Sequence, residues 1–487
     1  MRPNLLFINV DQMRADCLSI LGHPNVDTPY LDQLASDGVL YRRAYTSTPT
    51  CVPSRAAIMT GQSQHTHGRV GYQDGVSWDY EHTLPGELSK NGYQTQCVGK
   101  MHVHPARNRC GFDNVVLHDG YLHYSRFKHN TREIESFNQV DDYLNWLRNK
   151  LGTEYDLLDL GLDCNSTTVA RSWKLPEEYH PTNWVVSESI DFLRKRDITQ
   201  PFFLKMSFVR PHPPFDPPRE YFDQYLTEDI PDPVVGKWVS EDNNLKDDGY
   251  LPVTKKGIVP KKRLKRAMAA YYALITHLDQ QIGRFLMAMK EYGVYDNTII
   301  LFASDHGELL GDHHYFQKSL PYEGSANIPF ILSDPGNILN IQKGSISEKV
   351  VELRDIMPTF LDIADISIPD TVEGKSVYPL ACGIESEWRE DIHGEHSYED
   401  ESHHYITNGK EKYIWFSQTN QEQLFNLEND PNELYNLSSD NDWQERLKYW
   451  RKRLINILKD REEGYSDGNS LIPCKTPKTV LSHLNKN

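Results

Sequence analysis

Thr48-Pro49-Thr50-Cys51-Val52-Pro53-Ser54-Arg55-Ala56-Ala57-Ile58-Met59-Thr60-Gly61 opens with turn-forming residues and passes into a helix-friendly Ala-Ala-Ile-Met run. The change places Cys51 just before, or within, the first turn of a helix. Backbone N–H groups lack partners there and the helix dipole is positive. Such a spot attracts anions and lowers a thiol pKa. Arg55 lies one turn on and can point back toward Cys51. For an isolated cysteine, a buried structural side chain is the better reading. Partners elsewhere in the chain change that balance.

Those partners stand at the ends of apolar runs. Leu5-Leu6-Phe7-Ile8-Asn9-Val10 ends in Asp11-Gln12, and Thr298-Ile299-Ile300-Leu301-Phe302-Ala303-Ser304 ends in Asp305-His306-Gly307-Glu308. Runs of this kind read as strands buried on both faces of a parallel sheet, whose C-terminal ends collect functional groups. Two such endings can meet around one cation. Tyr93 to Val98 leads to Gly99-Lys100-Met101-His102, and Pro201 to Val209 leads to Arg210-Pro211-His212. A lysine or histidine at the end of a buried strand is costly unless it faces a polar site. Arg210 reads as a salt-bridge partner in preference to a second anion contact.

Cys-x-Pro-Ser-Arg followed by a short apolar helix and Thr60-Gly61 resembles the signature of type I, formylglycine-dependent sulfatases of the alkaline phosphatase superfamily. Gly-Lys-Met-His resembles choline sulfatases; Gln12 and His306 resemble the phosphonate monoester hydrolase branch. The resemblance covers roughly residues 4–100, 200–215, 295–365 and 420–440. It implies an α/β, alkaline phosphatase-like fold with a large, mostly parallel central sheet flanked by helices and a smaller C-terminal α+β subdomain.

The resemblance also implies a site. Cys51 is converted to formylglycine (3-oxoalanine) by a maturation enzyme. Asp11, Gln12, Asp305, His306 and residue 51 hold one divalent metal. Ca²⁺ is the family's common ion and suits the oxygen donors; the His306 imidazole shifts the balance toward Mn²⁺ or Zn²⁺. Lys100 contacts both the aldehyde-derived hydroxyl and the sulfate, Lys318 binds the sulfate, His212 contacts the sulfate or acts as the acid near the leaving oxygen, His102 holds the formylglycine hydroxyl, and Arg55, with the lysines and the cation, balances charge on the equatorial oxygens. The implied reaction is in-line attack on sulfur by a hydroxyl of the hydrated aldehyde, then release of sulfate as the second hydroxyl loses its proton. The substrate is a small-molecule or saccharide sulfate ester: a sulfated carbohydrate, an aryl or alkyl sulfate, or choline sulfate. Phosphonate monoester or phosphodiester hydrolysis at the same site is the alternative. A non-catalytic anion-binding protein is the reading if Cys51 stays a thiol.

Composition bounds the rest. The 487 residues exceed one ordinary domain. The expected division is a catalytic domain over 1–378, with inserted loops at about 103–180 and 213–257, and a C-terminal subdomain over 379–487. A net charge of −17 argues against a nucleic-acid surface, and no run reaches the ~18 apolar residues of a membrane span. Seven scattered cysteines without a CxxC pair do not read as a disulfide framework. No signal-peptide h-region is seen, so a cytoplasmic location is the default expectation; homo-oligomerisation stays open. Helices are expected over Thr28–Gly38, Thr83–Lys90, Asp141–Leu151, Asn183–Arg196, Lys261–Tyr292 and Asp442–Glu463, the last capped by Asp442, and a hairpin over Tyr405–Phe416. His65 and His67 read as surface residues or as part of the site mouth, and His403 and His404 as surface residues. His104, Arg107 and Tyr121 read equally as pocket-shaping groups or as parts of a solvated insertion.

Overall fold

The computed structural model describes residues 2–120, 137–152, 165–239, 254–384, 387–398, 401–473 and 476–484. Tyr121 lies outside them. The strands in chain order are β1 (Asn4–Asp11), β2 (Gly38–Tyr41), β3 (Ala44–Tyr45), β4 (Gln94–Gly99), β5 (Asn114–Leu117), β6 (Phe202–Pro211), β7 (Thr298–Ser304), β8 (Phe330–Ser333), β9 (Ser345–Ser347), β10 (Val351–Glu352), β11 (Ile392–Tyr398), β12 (Glu401–Thr407), β13 (Glu411–Phe416) and β14 (Gln421–Asn426). Eight form one sheet in the order β5-β4-β6-β1-β7-β8-β2-β9. β5, β4, β6, β1 and β7 pair in parallel, whereas β8 runs antiparallel to both its neighbours.

Every residue of β1 is buried, because the sheet is covered on both faces. Leu6, Ile8 and Val10 pack with the helices Pro181–Lys195 and Lys261–Glu291; Leu5 and Phe7 pack on the other side with Cys51–Thr60 and Ile356–Ile363. That burial explains why the run is continuously apolar and not alternating. Parallel pairing also brings the strand ends to one edge: Val10 pairs with Ser304, Asp11 with Pro211 and Gly99 with Ser207.

The expected helices are present with small shifts. Asp141 caps Asp142–Leu151 by accepting from the Leu144 N–H. The closing helix is shorter than expected, Gln444–Leu458, and Asp440, not Asp442, caps the 3₁₀ turn that precedes it. Two helices are tied by a buried carboxyl group. Asp279, on Lys261–Glu291, accepts from Leu31 N at 2.8 Å and Tyr30 N at 3.2 Å, and so caps Pro29–Ser36 from outside.

β11 to β14 form a separate antiparallel sheet backed by the closing helix. Its strands alternate. Ile392, Tyr405, Ile414 and Phe425 pack against Tyr45, Leu309 and Tyr322 of the main body, while Ile406, Trp415 and Leu424 pack under the closing helix. His403 and His404 are therefore not surface residues: both are buried. His404 Nδ1 lies 3.2 Å from His393 Nε2, and Glu395, on the strand position opposite His404, is held by Arg461 at 2.8 Å on each oxygen. The sequence offers no partner for these histidines because their partners lie on neighbouring strands. Among the described residues, no helix is long and apolar enough to cross a membrane.

Burial pushes Asp279 from its ordinary value of 3.8 up to about 7. The folded chain then keeps a proton that the unfolded chain has lost, so this group's contribution to stability is lost as pH rises from about 4 to about 7. Asp279→Asn removes a titrating group. Whatever its constant offset, its stability relative to the wild type, read from urea midpoints, is expected to rise across that window by up to about 1.4 kcal/mol per pH unit.

Candidate active site

Four strand ends and one helix start converge at the sheet's C-terminal edge. His212 N bonds to Asp11 O at 3.1 Å, Asp305 N to Val10 O at 3.1 Å and Lys100 N to Ser207 O at 2.9 Å, so each functional residue is pinned to a neighbouring strand. Cys51 is the first residue of Cys51–Thr60, as the turn-to-helix change in composition predicts, and every residue of that helix is buried. Gly61 closes it with φ 66°, and its N–H bonds to Ala57 O.

One donor atom from each of Asp11, Cys51, Asp305 and His306 lies within 4.8 Å of every other. Cys51 Sγ is 3.1 Å from His306 Nε2 and 3.7 Å from Asp11 Oδ1. His306 Nδ1 donates to Gly307 O at 3.0 Å, which leaves Nε2 to face the carboxylates, 3.5 Å from Asp11 and 3.7 Å from Asp305. Two carboxylates and an inward-facing imidazole nitrogen around position 51 are a donor set that fits a divalent cation. The electrostatics agree. Burial pushes His306 down, yet Asp305 beside it holds it above its ordinary range; a cation would take that proton's place. Burial pushes the Cys51 thiol up, but Lys100, Lys318 and His306 outweigh it and hold the thiol well below its usual value.

Arg55 faces the carboxylates beneath the centre. It is fully buried, with Nε bonded to Asp305 at 3.0 Å, Nη1 to Lys100 O at 2.9 Å and Ser207 Oγ at 3.1 Å, and Nη2 to Asp305 at 2.9 Å and Asp11 at 3.4 Å. Four of its five N–H donors are used in hydrogen bonds, and the guanidinium braces the two carboxylates from behind.

The other expected residues lie around the same centre. Lys100 Nζ is 2.5 Å from Asp11 Oδ2 and 3.9 Å from Cys51 Sγ. Lys318 reaches in from the loop after β7 and donates to Gln12 Oε1 at 2.7 Å. Gln12 has φ 71° and gives its amide N–H to Glu308, which turns its oxygen toward Lys318. His212 Nδ1 donates to Pro213 O at 2.8 Å; burial, with Lys318 nearby, lowers its pKa to about 4 and leaves Nε2 an acceptor. His102 is buried, with Nε2 3.3 Å from Asp74 Oδ1. Arg210 forms the expected salt bridge, to Asp216 at 2.6 Å. Arg107 bonds instead to Asp142 and Gln139 O, as part of the insertion. His65 is exposed, and the buried His67 accepts from Arg69 N at 3.2 Å; neither hydrogen-bonds to Asp11, Cys51, Asp305 or His306.

Three supporting residues escape sequence reasoning. Glu308 fixes Gln12; Asp119 accepts from the N–H groups of Met101 and His102 at 2.8 and 3.1 Å; Asp74 meets His102. Glu308 stands next to a recognised strand end and carries a signal in its position. Asp74 and Asp119 sit in loops with none.

Residues 3–366 match the family model described as Sulfatase, and residues 311–460 match N-sulphoglucosamine sulphohydrolase, C-terminal. An arylsulfatase of Clostridium perfringens is 56% identical over 487 residues, covering 99% of this chain and 100% of that protein. The crystal structure of the phosphonate monoester hydrolase of Agrobacterium radiobacter superposes with a TM-score of 0.74 at 26% identity, over 94% of this chain and 95% of that one. BT4656 in complex with its substrate D-glucosamine-2-N,6-O-disulfate shares the fold with a TM-score of 0.73 at 21% identity, over 95% and 99% of the two chains. Family match, full-length identity and the buried Asp11–Cys51–Asp305–His306 centre agree: the chain belongs to the sulfatase family and is a hydrolase of sulfate esters.

Proposed function

We propose that the chain hydrolyses sulfate monoesters with Cys51 in its formylglycine form, beside one divalent cation held by Asp11, Gln12, Asp305 and His306. The observation that supports this most is the mutual approach, within 4.8 Å, of donor atoms from Asp11, Cys51, Asp305 and His306, which lie up to 295 residues apart in sequence. When present, the cation and the hydrated aldehyde supply the nucleophilic oxygen and polarise the sulfate.

The remaining work falls to the chain's own side chains. Lys100 and Lys318 carry the positive charge that meets the sulfate oxygens, in a site whose burial strengthens each contact. Asp11 and Lys100 stabilise each other's charged forms: burial disfavours both charges, and the 2.5 Å contact overcomes it. His212, whose Nε2 keeps its lone pair, and His102 both neighbour Cys51 and would serve proton transfer there and at the ester oxygen. Arg55 fixes the carboxylate geometry that the cation requires, as groups behind metal ligands do. Ca²⁺ suits the oxygen donors, and His306 favours Mn²⁺ or Zn²⁺ as rivals. A maturation enzyme supplies the oxidation of Cys51.

Parallel assays on aryl sulfate and aryl phosphonate esters test the assignment. Faster turnover of the sulfate is expected, and a much larger rate constant for the phosphonate would reverse it. Peptide mass spectrometry of protein from a host with the maturation enzyme is expected to find the aldehyde at position 51, and Cys51→Ala to abolish turnover. Arg55→Lys is expected to lower metal affinity and kcat by about 10- to 100-fold with little change in KM, read from metal titration and steady-state kinetics. Chelation is expected to remove activity, and re-addition of the native cation to restore it.

A further inference from the structure

Glu308 follows the Asp305-His306-Gly307 turn and is fully buried. Three N–H groups meet its carboxylate. Oε1 accepts from Leu310 N at 2.9 Å and from Gln317 N at 2.6 Å, and Oε2 accepts from the Gln12 side-chain amide. The three residues it meets share a backbone conformation. Gln12 has φ 71°, Leu310 φ 51° and Gln317 φ 66°, in the left-handed region that residues other than glycine seldom enter. One buried carboxylate therefore anchors three strained positions, and such strain persists only where the surroundings enforce it.

Two of those positions lead into the site. Gln317 precedes Lys318, so the bond from its N–H holds the turn that delivers the lysine. The charge of Lys318 in turn helps to hold the Cys51 thiol low. Arg14 steadies the backbone of the carboxylate's own segment, with Nη1 on Glu308 O at 3.0 Å and on Leu309 O at 3.2 Å. Gln12 is the other position, and its amide can face only one way. Lys318 Nζ lies 2.7 Å from the amide atom that faces it. An ammonium has only donors, so that atom is the oxygen, and the NH₂ group falls to Glu308. Turning the amide over would set NH₂ against ammonium and oxygen against carboxylate. A carboxylate at position 12 would set two like charges against each other in a buried place.

We propose that Glu308 is a positioning residue that decides which side chain position 12 can carry: it requires an amide there, turns the amide oxygen toward Lys318, and holds the turn that brings Lys318 to it. The requirement is one of donors and acceptors, so exchanging the two side chains satisfies it equally. A glutamine at position 308 offers its oxygen to Leu310 N and Gln317 N and its NH₂ to position 12. A glutamate at position 12 accepts from that NH₂ and keeps an oxygen for Lys318. The exchange leaves the total charge unchanged. Either half of it alone breaks the pattern: Q12E opposes two carboxylates, and E308Q opposes two NH₂ groups or turns the Gln12 amide over. That Gln12 also holds the cation rests on the sulfatase reading above; its bond to Glu308 does not.

The test compares wild type, Q12E, E308Q and the Q12E/E308Q pair. Chelator-treated protein is unfolded in urea; mature enzyme stripped of metal is titrated calorimetrically with Ca²⁺ and with Mn²⁺, and kcat and KM are read on 4-nitrophenyl sulfate. Each single substitution is expected to lower the urea midpoint and to weaken the cation Kd and kcat by about 10- to 100-fold. The pair is expected to return most of the midpoint and to regain about tenfold or more in Kd and kcat, the non-additivity of two side chains in contact. A single variant too unstable to purify, beside a pair that folds, is the same rescue. Losses that add in the pair, a pair that does not fold, or single variants that match wild type overturn the proposal. A pair that regains the midpoint but neither cation affinity nor kcat overturns the positioning role. Wild type that binds neither cation, or hydrolyses no sulfate ester, overturns the sulfatase reading instead, and the urea midpoints still decide whether Glu308 selects the amide.

Discussion

The buried Arg55 guanidinium between Asp11 and Asp305 is the interaction on which the active centre depends. Two carboxylates brought together at the mouth of a sheet repel one another, and removing them from water disfavours both charges. Arg55 answers from beneath with hydrogen bonds to both carboxylates, and a cation would answer from above. Its bonds to Lys100 O and Ser207 Oγ carry the same brace to β4 and β6. One side chain thus ties the helix that bears Cys51 to four of the strands whose ends make the site.

Much of this was legible in the sequence, because buried parallel strands announce themselves. Leu5–Val10 and Thr298–Ser304 are continuous apolar runs, and the polar residues that end them had to be doing something there. Cys51 was legible from the change of composition around it. Arg55 was visible as a member of the motif, but the direction it faces was not. A helix residue one turn from Cys51 can reach toward substrate or away from it, and only the position of the sheet beneath decides. Gln12, Lys318 and Glu308 form one chain of contacts; the position of Glu308 after a recognised strand end was legible, but that it acts through the Gln12 amide was not.

The C-terminal sheet was legible as strands and illegible as chemistry. Alternation in Tyr405–Phe416 gives the hairpin, whereas the burial of His396, His403 and His404 follows from what lies on either side: the main body on one face, the closing helix on the other. A histidine in a strand shows neither its face nor its neighbours until the register is known. His404 opposite Glu395, and His396 opposite His403, are pairings of register alone.

The strand order carries a consequence for how the chain comes to be built. β1 is made first, yet its neighbours in the sheet are β6, paired at Leu5 with Phe203, and β7, paired at Leu5 with Ile299. Contacts so distant along the chain form late. During vectorial synthesis the first strand waits for β6 until some two hundred residues are made, and for its other neighbour, β7, until some three hundred. Throughout that wait the Cys51 side chain, enclosed in the finished fold, is still open to solvent.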